Sequence, residues 1–212
     1  MDRITAKKNI SLAQEIDKVF DLNDDIKEAI STVDREVFIP DGLKQHAYKL
    51  DALPIGGKQF ISSPLTVAKM TQYLFLHHVD SVLEIGCGSG YQAAVLSKMV
   101  RRVCTIERID PLLREANSRF RELGIHNILT KSGDGQDGWS RYAPFDRILF
   151  SASPTSIPQA IIDQLHPDGI IVAPMQVADT QIITRFTKEG NTLKSEEIEV
   201  CDFVPVKDGV ER

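Results

Sequence analysis

The chain has 212 residues, of which 42% are hydrophobic and 26% charged, and its formal net charge is −5. This length favours a single domain with a substantial core. The negative charge argues against a nucleic-acid or anionic-membrane surface as the main function of the fold. The apolar runs fall far short of the roughly 20 residues that a membrane-spanning helix requires. The charged N-terminal stretch does not resemble a signal peptide, and we therefore expect a cytoplasmic protein.

The three cysteines, Cys87, Cys104 and Cys201, are scattered along the chain and do not stand at metal-ligand spacing. None of the five histidines completes a metal site with them. We expect small buried thiols in a reducing compartment, and no bound metal.

The N-terminal region begins with two expected helices and continues into an irregular connection. Apolar residues recur at helical spacing over residues 9–20, and a second helix is expected after Asn23 or Asp24, either of which can cap it. Residues 38–64 hold three prolines and three glycines, and long loops inside a compact domain are usually functional. We assign residues 1–63 to N-terminal helices and a substrate and active-site loop packed on the same domain, and residues 64–212 to the core.

After Pro64, helices and short apolar strands alternate. The expected helices cover residues 65–76, 91–100, 110–123 and 157–165. The expected strands cover residues 81–86, 102–107, 126–132, 145–153 and 169–174. Two last strands, near residues 180–187 and 195–206, flank a turn at 188–191 and are expected to be antiparallel. This alternation predicts a doubly wound α/β fold with a mostly parallel seven-stranded sheet covered on both faces.

The stretch "VLEIGCGSGYQ" (residues 82–92) lies where the first strand of that sheet ends. Ligands of such sheets bind beyond the carboxyl ends of the strands, at the switch point. The glycines are spaced G-x-G-x-G, whereas a nicotinamide-binding turn is normally G-x-G-x-x-G, and Tyr91 occupies the position of the third glycine. Glu84 would repel an incoming pyrophosphate. The pattern favours a ligand that lacks phosphate and carries a positive charge, and S-adenosylmethionine (SAM) fits.

The glycine turn and the acid before it suit the methionine part of SAM. Gly86 and Gly88 allow the backbone to approach the ligand at torsions that other residues resist. The helix that starts near Gly90 offers free N–H groups to the carboxylate. Glu84 is suited to the ammonium group, directly or through water.

Acids after the next two strands suit the adenosine part. Glu107 ends the second strand, where an acid can accept both ribose hydroxyls, and Asp134, next to Gly133 in "GDG", can accept from the adenine amino group. Glu107 alone could equally be a solvated charge at a strand end. The combination of E-x-G-x-G-x-G, an acid after the next strand and G-D-G after the third is far more specific, and it predicts a SAM-dependent methyltransferase.

The methyl acceptor is indicated by the segment "LDALPIGGKQFISSPLTVAKM" (residues 50–70), with "FIP" before it and "GDGQDGW", "DGIIVAP" and "FVPV" after it. Residues 34–206 resemble the protein-L-isoaspartate O-methyltransferase family. The resemblance implies methylation of the free α-carboxylate of L-isoaspartyl residues in damaged proteins, with S-adenosyl-L-homocysteine as the second product. The ester then cyclises to a succinimide, which reopens partly to normal aspartate. Because the acceptor is already ionised near neutral pH, a general base is unnecessary and catalysis consists of alignment.

The resemblance assigns roles to residues of the irregular segment. Ser62 matches the active-site serine of a Q-T-I-S-x-P motif, where its hydroxyl donates to the substrate carboxylate or holds the loop over the methyl group. Ser63 is the adjacent alternative, at the variable position of the motif. Ser62 could also serve as a helix N-cap ahead of Pro64. Phe60 stands where the family usually has threonine.

Further contacts follow from the same resemblance. Gln59, Phe60 and Ile61 are expected to flank the cofactor, and Gly133 and Asp134 to contact the adenine side. The "FVPV" segment is expected to present the substrate's main chain through Val204, Pro205 and Val206. The resemblance also implies that the last two strands of the sheet are exchanged relative to the commonest methyltransferase order.

Three other functions remain open at this point. One is a SAM-dependent methyltransferase that acts on RNA or a small molecule, which would share every cofactor residue. Another is a non-catalytic SAM-binding module, to which Phe60 gives slight support. A NAD-dependent oxidoreductase is disfavoured by Tyr91 and Glu84. For the favoured function we expect a monomer that acts on isoaspartyl-containing peptides and proteins, with neither nucleic acid nor membrane as a partner.

Overall fold

A seven-stranded sheet carries the fold, and helices cover both of its faces. The computed structural model describes residues 2–190 and 192–212. The helices are α1 (Arg3–Val19), α2 (Asp24–Thr32), α3 (Pro64–Tyr73), α4 (Tyr91–Leu96), α5 (Asp110–Glu122) and α6 (Gln159–Asp163). The strands are β1 (Leu53–Pro54), β2 (Phe60–Ile61), β3 (Ser81–Ile85), β4 (Arg102–Glu107), β5 (Ile128–Ser132), β6 (Phe145–Phe150), β7 (Leu165–Val177), β8 (Thr180–Glu189) and β9 (Thr192–Cys201).

The strand order of the large sheet is β5-β4-β3-β6-β7-β8-β9. The first five strands in this order are parallel to their neighbours, and β8 and β9 are paired antiparallel. The predicted doubly wound sheet with antiparallel C-terminal strands is confirmed. Only two residues connect β7 to β8. A turn this short can join antiparallel strands, so β8 pairs directly with β7. With β9 at the edge, this is the exchanged order that the resemblance implied.

The core lies on both sides of the sheet because successive strand residues point to opposite faces. Val82, Val103 and Leu149 belong to the cluster packed against α1 to α5. Leu83 and Ile106 belong to the cluster on the other face, which includes residues of α6. All five residues of β3 are buried, which explains why this strand is almost uninterrupted in its apolar character.

Helices α1 and α2 share a core with the sheet. Leu12 and Ile16 of α1, and Ile26 of α2, belong to the same apolar cluster as Val82. Helix α1 begins earlier than residue 9, because the carboxylate of Asp2 accepts hydrogen bonds from the amides of Ile4 and Thr5 at 2.8 and 2.9 Å and caps the first turn.

The segment 38–64 is more ordered than its prolines and glycines predicted. Two 3₁₀ turns, Arg35–Phe38 and Asp41–His46, precede a hairpin in which β1 pairs antiparallel with β2. The amide of Ile55 donates to the carbonyl of Gln59 at 2.9 Å, and Gly57 adopts a φ of 65°. The hairpin turn therefore uses the glycines that suggested an irregular loop.

Some element boundaries differ from the predicted ones. Strand β7 begins at Leu165 instead of residue 169. Strand β9 ends at Cys201, because the side-chain amide of Gln181 binds both the carbonyl and the amide of Phe203 and leads the chain out of the ladder. The "FVPV" segment therefore lies outside the sheet. The predicted turn at 188–191 includes Asn191, which lies outside the described residues.

Candidate active site

A pocket opens beyond the carboxyl ends of β3, β4 and β6, where a doubly wound sheet binds its ligand. It is walled by the β1–β2 hairpin and the start of α3, by the glycine turn, by the end of β4, and by the C-terminal segment. Most predicted site residues line it, namely Gln59, Phe60, Ile61, Ser62, Glu84, Gly86, Gly88, Glu107, Val204, Pro205 and Val206. Gly133 and Asp134 are not among its lining residues, whereas Gly135 is.

The glycine turn adopts torsions that require its glycines. Gly86, Gly88 and Gly90 have φ values of 94°, 53° and 92°, which residues with a Cβ rarely adopt. A Cβ on Gly90 would lie 2.8 Å from the ring of Phe120 in α5. Tyr91 then begins α4, and its side chain is buried. The turn thus leaves bare backbone facing the pocket.

Glu84 is fully buried at the base of the pocket. Its carboxylate accepts hydrogen bonds from the hydroxyls of Thr105, at 2.6 Å, and Ser151, at 3.0 Å. Burial raises the pKa of Glu84 to about 8, although both hydroxyl donors lower it. A carboxyl group in this position lacks a cationic partner in the described part of the chain. The ammonium of a bound SAM molecule would supply one.

Glu107 organises the backbone around the pocket. One carboxylate oxygen accepts from the amide of Gly88 at 2.7 Å, and the other accepts from the amide of Ile109 at 2.9 Å. Glu107 as a whole residue is only 5% exposed. Because each carboxylate oxygen can accept a second hydrogen bond, Glu107 can fix the glycine turn and accept ribose hydroxyls at the same time.

Asp134 contacts the C-terminal segment of the chain. Its two oxygens accept from the amides of Gln136, at 2.9 Å, and Gly209, at 2.7 Å. Close by, the amide of Glu211 donates to the carbonyl of Arg108 at 2.7 Å, so residues 209–211 run along the loop that follows β4. The adenine contacts of Gly133 and Asp134 stay predictions.

The two adjacent serines have different surroundings. The hydroxyl of Ser63 accepts from the amide of Thr66 at 3.0 Å and caps α3, so Ser63 and not Ser62 is the N-cap ahead of Pro64. Ser62 is half-buried and lines the pocket. Because it has no capping role, its hydroxyl can donate to a ligand.

The segment 204–206 lines the same pocket as Ser62. It is held at the end of β6 by two backbone hydrogen bonds, from the amide of Ser153 to the carbonyl of Val204 and from the amide of Val206 to the carbonyl of Ser153, both at 2.8 Å. An extended segment of this kind can pair with the main chain of a peptide.

Three site residues were not identified from the sequence. Thr105 and Ser151 hold Glu84, and Arg35 donates from Nη2 to the carbonyl of Ser62 at 2.9 Å. The position of Ser151 directly after β6 was a usable signal, because the ends of parallel strands share one edge of the sheet. Nothing in the local sequence linked Arg35 to Ser62, 27 residues later.

Two of the described cysteines, Cys87 and Cys104, are buried, and all three are free. Burial raises the pKa of Cys87 well above its usual range, which disfavours the thiolate form that a nucleophile requires. Within residues 2–190 and 192–212, no group of three or more histidine, cysteine, aspartate or glutamate side chains is placed to hold a metal ion. None of the helices in those ranges is long and apolar enough to cross a membrane.

The fold and the pocket define the class: SAM-dependent methyltransferases. A model of the protein-L-isoaspartate(D-aspartate) O-methyltransferase (PCMT) family matches residues 6–211. The chain is 56% identical over 205 residues to the protein-L-isoaspartate O-methyltransferase of Helicobacter pylori strain J99, covering 96% of this chain and 98% of the relative. It is 41% identical over 209 residues to that of Shewanella frigidimarina, covering 99% of both. The chain belongs to the protein-L-isoaspartate O-methyltransferase family.

Solved structures agree with the fold. A protein-L-isoaspartate O-methyltransferase structure superposes with a TM-score of 0.85 at 25% identity, covering 93% of this chain and 65% of that one. A Plasmodium falciparum structure, described as a PCMT in complex with S-adenosyl-L-homocysteine, superposes with a TM-score of 0.83 at 20% identity, covering 94% and 98% of the two chains.

Proposed function

We propose that the protein transfers a methyl group from SAM to the free α-carboxylate of L-isoaspartyl residues, the first step of their repair through a succinimide. The observation that carries this proposal is the position of Ser62, which lines one pocket together with Glu84, Glu107 and residues 204–206. The membership of the chain in the family supports the same acceptor.

Some residues of the pocket bind the cofactor, and others bind the acceptor. When bound, SAM supplies an electrophilic methyl group on its sulfonium. Glu84 would hold the ammonium, and Glu107, which holds the amide of Gly88, would accept the ribose hydroxyls. The hydroxyl of Ser62 donates to the acceptor carboxylate and orients one of its oxygens. No proton has to be removed, because the nucleophile is a carboxylate that is ionised near neutral pH.

Alignment accounts for catalysis in such a site. Fixing two reacting groups in line is worth about 7–11 kcal/mol of the barrier in favourable cases. The residues that fix the acceptor lie directly after the hairpin, whose two strands pair with each other, and on segment 204–206, which backbone hydrogen bonds hold at the end of β6. The rigid placement of these two segments is what the chain contributes to the rate.

We further propose that the protein acts as a monomer in the cytoplasm and takes proteins, not nucleic acids, as acceptors. The net charge of −5 supports a non-nucleic-acid acceptor, because protein surfaces that bind nucleic acids are usually basic. Division of the chain into an N-terminal substrate part, residues 1–63, and a SAM-binding core, residues 64–212, remains part of this proposal.

Product chemistry tests the acceptor. Methyl-labelled SAM is incubated with the protein and either an isoaspartyl peptide or total RNA. The proposal predicts a base-labile ester on the peptide, with release of labelled methanol and conversion of the peptide through its succinimide. Base-stable label on RNA, with none on the peptide, would favour the RNA methyltransferase. Binding of SAM without transfer to either acceptor would favour a non-catalytic module.

A further inference from the structure

Arg35 is a buried cation with no role in the methyl transfer proposed above. It begins the 3₁₀ turn Arg35–Phe38, and its side chain is 0% exposed. Nε donates to the carbonyl of Ala47 and Nη2 to the carbonyl of Ser62, both at 2.9 Å. Within the described residues, no carboxylate forms an ion pair with its guanidinium.

Burial of a charge without an opposite charge is costly, because the interior solvates it poorly. Burial lowers the pKa of Arg35, but arginine stays protonated in proteins, so the positive charge remains. The guanidinium carbon lies 4.5 Å from the ring centroid of Tyr91, and this cation–π contact offsets part of the cost. Nη1 and the hydroxyl of Tyr91 are buried without a hydrogen bond of good geometry.

The charge lies next to two residues of the pocket lining, although Arg35 itself does not line the pocket. Ser62 and Tyr91 both line the pocket, and Arg35 contacts both of them from the protein interior. The cations that do line the pocket, Arg108 and Lys207, are placed differently. Arg108 is ion-paired with a glutamate of the C-terminal segment at 3.1 Å, and Lys207 is exposed. Arg35 is therefore the cation that is hydrogen-bonded to the serine expected to receive the acceptor.

We propose that Arg35 is a positioning residue for the methyl acceptor, an inference that rests on the function proposed above. Its hydrogen bond to the Ser62 carbonyl fixes the backbone that carries the Ser62 hydroxyl. Its buried charge selects an anionic group, the isoaspartyl α-carboxylate, at that hydroxyl. The counter-charge that the described residues do not provide is supplied by the substrate.

The test separates charge from packing by a ratio of two affinities. An isoaspartyl peptide and its α-carboxamide analogue are titrated by calorimetry into the protein saturated with S-adenosyl-L-homocysteine, so that no turnover occurs. The variants are Arg35→Met, which removes the charge, and Arg35→Lys, which keeps it. Arg147→Met is the matched control, because Arg147 also donates to backbone carbonyls, those of Leu74 and Phe75, but neither of these partners lines the pocket.

In the unaltered protein we expect the carboxylate peptide to bind at least about tenfold more tightly than the carboxamide, or ~1.4 kcal/mol. Arg35→Met should bring the ratio close to one. Arg35→Lys should keep the ratio but lower kcat by about tenfold, because one ammonium group does not reproduce the paired bonds to Ala47 and Ser62. In both variants and in the control, the affinity for S-adenosyl-L-homocysteine should stay within about twofold.

Three results would overturn the proposal: a ratio near one in the unaltered protein, an unchanged ratio in Arg35→Met, or a parallel loss of peptide and S-adenosyl-L-homocysteine affinity in that variant. If Arg35→Met does not fold, Arg35→Gln provides the neutral side chain. The ratio of the two peptide affinities in the unaltered protein tests, without any variant, whether the site prefers an anionic ligand. Lack of methyl transfer by the unaltered protein would instead refute the proposed function, and the role of Arg35 with it.

Discussion

Ser62 and Ser63 are adjacent in the chain but serve different purposes at the start of α3. The Ser63 hydroxyl accepts from the amide of Thr66 and is used in capping, whereas Ser62 lines the pocket and has its carbonyl held by Arg35. The two side chains are chemically identical, so substitution of each in turn separates the function of the site from the stability of the helix.

We expect Ser62→Ala to lower kcat by about 10²-fold or more, because a donor aligned with the reacting group is lost. The affinity for S-adenosyl-L-homocysteine should change little. Steady-state kinetics and calorimetry on the purified variant check both values. Ser63→Ala is the control, and it should lower the unfolding free energy by about 1 kcal/mol through loss of the cap. Equal losses of kcat and cofactor affinity in Ser62→Ala would assign Ser62 to cofactor binding.

Glu84 makes the stability of the cofactor-free protein depend on pH. Burial raises its pKa from 4.5 to about 8. Between these values the folded protein keeps a proton that the unfolded chain has released, so the contribution of Glu84 to stability is complete below pH 4.5 and decreases as the pH rises to 8.

Glu84→Gln should therefore be more stable than the parent above pH 8, by an amount on the order of a few kcal/mol, with the difference shrinking towards pH 4.5. Melting curves of both proteins across this range, without cofactor, check the trend. The same variant should bind S-adenosyl-L-homocysteine more weakly, because the ligand ammonium loses its carboxylate. A stability difference that does not vary with pH would contradict the raised pKa.

At the scale of elements, the glycine turn between β3 and α4 depends on how closely α4 approaches α5. A Cβ on Gly90 would meet the Phe120 ring at 2.8 Å, whereas one on Gly124, with a φ of 64°, would meet nothing within 4 Å. Both positions carry the backbone cost of a positive φ, but only Gly90 adds a clash with a buried ring.

Gly124→Ala should lower the unfolding free energy by about 1 kcal/mol, and Gly90→Ala by about 2–4 kcal/mol, because overpacking is added to strain. Urea denaturation of the two variants gives the comparison. Since the turn carries Gly88, whose amide is fixed by Glu107, Gly90→Ala should also weaken S-adenosyl-L-homocysteine binding, whereas Gly124→Ala should not. Equal losses of unfolding free energy in the two variants would show that the contact with Phe120 does not add to the cost of Gly90→Ala.

At the scale of the whole molecule, the sequence predicted the sheet better than the site. Alternation of apolar strands and amphipathic helices is a local signal, and β3, buried along its whole length, was recognisable for that reason. The hairpin β1–β2 was missed because two-residue strands leave almost no periodic pattern. Its glycines signalled irregularity, although they form the turn.

Contacts between distant segments could not be read in the same way. The bond from Arg35 to Ser62 joins positions 27 residues apart, and that from Gly209 to Asp134 joins positions 75 apart. Neither follows from periodicity or spacing. Ser62 itself was found because its motif resembles that of a known family. The capping alternative for Ser62 was wrong, since helix α3 begins one residue later than that role requires.

Selection of the α-carboxylate of an isoaspartyl residue by the pocket is tested by comparing two acceptors. Methyl transfer from labelled SAM is measured with two synthetic peptides that are identical except for one isoaspartyl or one aspartyl link. We predict base-labile label on the isoaspartyl peptide, with a kcat/KM at least about 10²-fold above that for the aspartyl peptide. Equal transfer to both peptides, or to neither while SAM is bound, would contradict this selectivity.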